Sequence, residues 1–226
     1  MIAIFDFDGV ILDSNSSKTR AFEQVAHPYG ARAAEALVAY HLKHGGVSRE
    51  VKFQFLFQEV LGREAEAAEL ERMRIAFGAA ARAGLAAAPE IAGVRAFTRR
   101  LTERGHTLAI VSGGRRDEIV DELARRALSG TFATVIGGDV RKIEGVRRIL
   151  GPGGGRALFF GDSEIDYRAA VENGIAFVFV YGCSEWSTGL DALPRAVPRI
   201  RDFEDQVIDA VDLESVLMGM PSGGTT

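Results

Sequence analysis

The 226-residue sequence contains a single cysteine, Cys183, so no disulfide can form within the chain. A reducing, cytoplasmic setting is the expectation that follows. Basic charge is not in surplus either. Twenty-seven Lys and Arg stand against 31 Asp and Glu, giving a formal net charge of −4. That balance argues against a broad basic face for nucleic acid or for an anionic membrane. Long apolar runs are missing, and the most apolar later stretch, Ile175 to Tyr181, is far too short to span a bilayer. The opening MIAIFDFDG meets acidic residues at once and has no basic leader, so no signal peptide is expected there. The four histidines are scattered without ligand spacing, and only His44, beside a glycine pair, stands out. The glycine clusters Gly151 to Gly155 and Gly223-Gly224 have the spacing of neither a P-loop nor a dinucleotide fingerprint. Internal repeats are absent.

What is present is a globular balance, with 47% apolar and 26% charged residues. The length fits one ordinary domain or a core domain carrying an insertion. Ile2 to Phe5 is a short apolar run that stops where Asp6-Phe7-Asp8-Gly9 begins. Similar runs occur at Thr107 to Val111, Ala133 to Ile136, Ala157 to Phe160 and Ala176 to Val180. Helical patterns separate them at Gly93 to Arg104, Arg116 to Ala127, Ile143 to Leu150 and Ile165 to Glu172. Apolar strands alternating with helices predict an α/β fold, a doubly wound parallel sheet of the Rossmann type covered on both faces.

Residues 15–88 break that rhythm with helical patterning alone. Three stripes are expected to face inward: Ala33, Leu37, Val38 and His41; Val51, Phe55, Leu56 and Val60; and Leu70, Met73, Phe77 and Ala80. Ser48 is the expected N-cap of the second helix. The predicted organisation is a core of residues 1–14 and 89–215, an inserted helical cap of residues 15–88, and a flexible tail of residues 216–226. Asp13-Ser14 and Ala86 to Pro89 are the hinge candidates.

In an open parallel sheet, chemistry collects beyond the carboxyl ends of the strands. The runs lead there to Asp6 and Asp8, to Ser112-Gly113-Gly114, to Asp139 and then Lys142, and to Gly161-Asp162-Ser163 with Asp166 a turn later. Were Asp6, Asp8, Asp162 and Asp166 to converge, like charges about 4 Å apart would repel by roughly 4 kcal/mol at an effective dielectric near 20. A cation relieves this, and hard carboxylate oxygens without His or Cys favour Mg²⁺. Mg²⁺, Lys142 and the Ser112 hydroxyl would then hold a phosphoryl group beside a carboxylate. A carboxylate is a competent phosphoryl acceptor, and a second one two residues on can protonate the leaving alcohol and later activate water.

These residues resemble the haloacid dehalogenase superfamily of phosphatases. Asp6-Phe7-Asp8-Gly9-Val10-Ile11-Leu12-Asp13-Ser14 is similar to its first signature, Val111-Ser112-Gly113-Gly114 to its second, and Gly161 to Asp166 to its fourth. Lys142 takes the place of its lone lysine, although Ile143 follows where proline is common. The resemblance implies Asp6 as nucleophile, Asp8 as general acid and base and a metal ligand through its carbonyl, Asp162 as a direct ligand, and Asp166 as an outer one. Ser112 and Gly113 would bind phosphate. Helical insertions at this place serve as mobile caps in the phosphoglycolate phosphatase-like and β-phosphoglucomutase-like branch. Asp8 speaks against a dehalogenase, which usually lacks an acid there.

The expected activity is Mg²⁺-dependent hydrolysis of a small phosphorylated metabolite. A phosphomutase and a non-catalytic phosphate-binding module are the alternatives, and the oligomeric state stays open. Within Gly45 to Lys52, Arg49 and Lys52 are candidates to meet an anionic part of the substrate, the alternative being solvated cations at a helix start. Phe53, Phe55 and Phe57 are expected to divide between core and lid. Cys183, Trp186, Asp139 and Glu164 are read as structural or solvated residues.

Overall fold

The computed structural model describes residues 1–45, 47–152 and 155–205. The expected tail 216–226 and residues 206–215 of the expected core lie outside the described residues, as do Gly46 and Gly153-Gly154. Strands β1 (Ile2–Phe5), β2 (Thr107–Val111), β3 (Thr134–Ile136), β4 (Ala157–Gly161), β5 (Ala176–Val180) and β6 (Arg199–Ile200) form one sheet in the order β3-β2-β1-β4-β5-β6. Every pairing is parallel. β4 and β5 are buried along their whole length, which is why their sequences are continuously apolar. The two-residue β6 was not foreseen; Arg199 and Ile200 pair with Phe179 and Val180.

Helices lie on both faces. Phe97 and Leu101 of α5 (Val94–Glu103) join Ile119 and Leu123 of α6 (Arg116–Arg125) in one core cluster with Ala3, Phe5, Leu108 and Ile110. Val146 of α7 (Lys142–Leu150) and Ala169 and Ala170 of α8 (Glu164–Glu172) pack on the other face with Ile4, Phe159 and Phe177. Successive residues of β1 therefore serve opposite cores, as a pleated strand requires. Phe5 stacks on Phe160 of the neighbouring strand with ring centroids 4.8 Å apart.

Between β1 and α5 the chain builds α1 (Asn15–Ala26), α2 (Ala31–Lys43), α3 (Arg49–Phe55) and α4 (Ala67–Ala87). They enclose their own apolar cluster, centred on Phe22, Leu37, Phe53, Leu56, Phe57 and Phe77. The outgoing and returning chains run side by side. Asp13 N–H donates to the Pro89 carbonyl, and Ile91 N–H to that of Ile11, both at 3.0 Å.

The first and third expected stripes face this cluster, with Ala33, Leu37, His41, Met73 and Phe77 buried. The second does so in part. Leu56 is buried and Phe55 and Val60 pack against the cluster, but Val51 is 42% exposed, and Arg49, Lys52, Phe53 and Phe57 fill the rest of the inward face. Buried cations on that face disguised it in the sequence, and a wide turn over Leu56–Val60, closed by Leu61 N–H to Leu56 C=O at 3.0 Å, alters the period. Ser48 precedes α3 in the N-cap position but makes no side-chain cap bond. Among the described residues no helix is long and apolar enough to cross a membrane.

Candidate active site

The strand order reverses between β1 and β4, which opens a crevice at their carboxyl ends. Asp6 leaves β1 at this point. Its N–H donates to the Phe160 carbonyl at 2.9 Å, its Oδ1 accepts from Phe7 N–H at 2.7 Å, and its Oδ2 accepts from Lys142 Nζ at 2.6 Å. The chain then turns sharply. Gly9 N–H donates to the Leu12 carbonyl at 2.7 Å, and Gly9 takes a φ of 77°. A Cβ there would collide with the carboxylate of Asp162 and the amide of Asn15.

Asp162 follows β4, and Asp166 lies a turn into α8. One carboxylate oxygen from each of Asp6, Asp162 and Asp166 lies within 4.8 Å of the others, and all three residues are buried. Lys142, the first residue of α7, donates to both Asp6 and Asp166. The other oxygen of Asp166 accepts from Ser163 N–H at 3.1 Å and Ser163 Oγ at 2.5 Å, in a capping box that starts α8. Asp162 is different. Its donor is the Asn15 amide at 2.6 Å, and among the described residues it has no ion-pair partner.

Burial, with Asp166 and Asp8 adding repulsion against the pull of Lys142, pushes the Asp6 carboxyl up to about 6. Burial, then the charges of Asp6 and Asp166, holds Asp162 well above the usual carboxylate range. On Lys142 burial acts downward, yet Asp166 and Asp6 keep its ammonium above its ordinary value. Three buried carboxylates around one ammonium leave negative charge uncompensated, and Asp162 is where it falls. That set of hard oxygen donors fits Mg²⁺. Asp6 and Asp162 would hold the ion, whereas Asp166, with both oxygens engaged, orients Lys142.

Asp8 sits two residues beyond Asp6. Ser14 Oγ donates to its Oδ1 at 2.7 Å and Lys18 Nζ to its Oδ2 at 2.5 Å. Burial acts upward on this carboxyl, but the charge and hydrogen bond of Lys18, with help from Ser14, bring it below its ordinary value.

A cavity of about 310 Å³ lies above these groups. Asp6, Asp8, Ser112, Gly113 and Asp162 line it from the sheet side, and Lys18, His41, His44 and Lys52 from the inserted segment. Glu185 and Trp186, from the loop after β5, complete the wall. The two cations singled out on α3 part company. Lys52 faces the cavity, whereas Arg49 lies outside it and pairs with Glu118 of α6 at 2.5 Å. Sequence reasoning missed Asn15, Lys18, His41 and Glu185. For Asn15 and Lys18 a signal existed, since residues three apart at the start of a helix share a face. For Glu185 there was none.

Residues 3–180 match the model of the haloacid dehalogenase-like hydrolase family, and the chain belongs to that family. A curated phosphoglycolate phosphatase from Rhodobacter capsulatus is 36% identical over 119 residues, which cover 49% of this chain and 52% of that protein. The match thus spans about half the length of that relative. Among solved structures, a predicted phosphoglycolate phosphatase from Haemophilus somnus superposes with a TM-score of 0.71 at 19% identity, covering 92% of this chain and 97% of the other. A Thermotoga maritima protein provisionally assigned as a β-phosphoglucomutase gives 0.63 at 21% identity, covering 93% and 99%. At such identities the likeness establishes the α/β fold with its helical cap.

Proposed function

We propose that this protein is a Mg²⁺-dependent hydrolase of a small phosphate monoester, acting through a phospho-aspartate. The observation that carries the reading is the triangle of Asp6, Asp162 and Asp166 oxygens within 4.8 Å, with Lys142 drawn onto Asp6, at the floor of a cavity that Asp8 also lines. The partial match to a phosphoglycolate phosphatase supports the same class and makes phosphoglycolate one substrate to try. A cytoplasmic location fits the single cysteine.

An oxygen of Asp6 attacks phosphorus and displaces the ester oxygen, while Asp8, ionised beside Lys18 in the free enzyme and taking up a proton as the anionic ester enters, gives that proton to the leaving alkoxide. Water then attacks the phosphorus of the acyl phosphate, its proton passing to Asp8. Inorganic phosphate departs and Asp6 regains its carboxylate. Ser112, Gly113 and Lys142 are placed to hold the phosphoryl oxygens. Bound Mg²⁺ would neutralise charge on the carboxylates and the transferring group. Ser14 and Lys18 fix the Asp8 carboxyl between its two proton transfers. The helices over the cavity exclude bulk water.

The test is phosphate release from p-nitrophenyl phosphate and a metabolite panel with Mg²⁺, before and after chelation. Asp6→Asn should abolish turnover and the acid-stable mass increment of one phosphoryl group. Undiminished activity in that variant would sink the covalent route.

A further inference from the structure

Lys52 is 1% exposed, yet it borders the cavity. Its Nζ lies 2.6 Å from His41 Nδ1, the hydrogen-bond partner it has among the described residues, and 5.0 Å from the centroid of the Phe22 ring. The other nitrogen of His41, Nε2, is 3.1 Å from Thr19 Oγ1, and the Thr19 hydroxyl donates to Glu185 at 2.7 Å. One assignment satisfies the whole chain: Lys52 donates to Nδ1, Nε2–H donates to Thr19, and Thr19 donates to Glu185. An ammonium carries three donors. One is engaged by His41, so two remain for whatever enters the cavity.

We propose that Lys52, held by His41, is the centre of a second anion subsite in the cavity wall, which takes a carboxylate carried by the phosphorylated substrate. The subsite rests on the phosphatase reading and narrows it to phosphate esters of small organic acids. Charge matching selects a carboxylate over a second phosphate. Burial, then the neighbouring Lys52 and Lys18, pushes His41 down to about 2, so the imidazole is neutral. Arg49 is spent on Glu118, and Lys18 on Asp8. One ammonium beside the Glu185 carboxylate suits a monoanion better than a dianion. Burial and Lys18 also hold Lys52 well below its ordinary value, a strain that an incoming anion relieves. A cavity near 310 Å³ is at the small end of metabolite sites, which run to about 1,000 Å³.

The experiment compares matched esters with and without a carboxylate: 6-phosphogluconate against glucose 6-phosphate, and 3-phosphoglycerate against glycerol 3-phosphate. In the wild-type protein with Mg²⁺, kcat/KM should favour the acid by at least about tenfold in one pair or both, mainly through KM. In Lys52→Met that ratio should fall to about one. A role confined to holding the helices together would lower both members of a pair alike and leave their ratio intact. Wild-type ratios near one in both pairs, or a ratio unchanged in Lys52→Met, overturn the subsite. Should Lys52→Met fail to fold, the wild-type ratios still decide. Equal rates within the pairs, with p-nitrophenyl phosphate still cleaved, sink the subsite alone. No cleavage of any ester sinks the phosphatase reading with it.

Discussion

The guanidinium of Arg49 donates to both carboxylate oxygens of Glu118, at 3.1 and 2.5 Å, and both side chains are buried. This pair joins α3 of the inserted helices to α6 of the sheet layer. Breaking a buried pair from one side strands a charge and costs about 3–5 kcal/mol, whereas replacing both partners with apolar groups is often neutral. Arg49→Met and Glu118→Leu should each lower stability to urea strongly. The double variant should recover most of the loss, and equal additive losses would show that the pair is not coupled.

Gly9 combines a φ of 77° with close approach to Asp162 and Asn15. Gly9→Ala places a Cβ where neither neighbour can stay. Backbone strain alone is worth on the order of 1–3 kcal/mol. The variant should fold with a lower melting temperature and lose at least about tenfold in kcat. Wild-type kcat would show that the loop tolerates a side chain there.

Asp162 has an amide donor but no cation among the described residues. Asp162→Asn removes charge where it is least compensated, so the Mg²⁺-free protein should gain thermal stability while the Mg²⁺ needed for half-maximal activity rises roughly tenfold or more. Melting curves and Mg²⁺ titrations read the two effects separately. A fall in Mg²⁺-free stability would count against the charge excess.

His41 is held neutral, its folded value pushed from an ordinary 6.5 down to about 2 by burial, Lys52 and Lys18. Below about pH 6.5 the unfolded chain binds a proton that the folded one refuses, so stability falls as pH drops toward 2. Between pH 7.5 and 5.5 this amounts to about 1.4 kcal/mol for one such group. Urea midpoints at the two values should show that loss in the wild-type protein and a smaller one in His41→Gln. Asp6 acts with the opposite sign between about 4 and 6, since its folded value is raised to about 6, and the difference between wild type and variant removes its contribution.

Much of the core was legible because buried parallel strands are written as unbroken apolar runs. The runs before Asp6, Ser112 and Asp162 marked β1, β2 and β4, and the polar residue closing each marked the end at which chemistry gathers. β6 escaped because two residues are too few to show a period. On α3 the apolar pattern misled. Arg49 and Lys52 occupy the inward face, and no scale of hydrophobicity places two cations there before their partners are known.

By itself, the sequence determined which residue types could do the chemistry and that β1, β2 and β4 would present them at strand ends, because strand burial is a local property of composition. Only the tertiary structure decided how they are paired. Asn15 reaches Asp162 across 147 positions, Lys142 reaches Asp6 across 136, and Thr19 reaches Glu185 across 166. Hydrogen bonds and ion pairs act over a few ångströms. Whether two groups so distant along the chain fall within that range depends on how the sheet winds and where the inserted helices rest upon it.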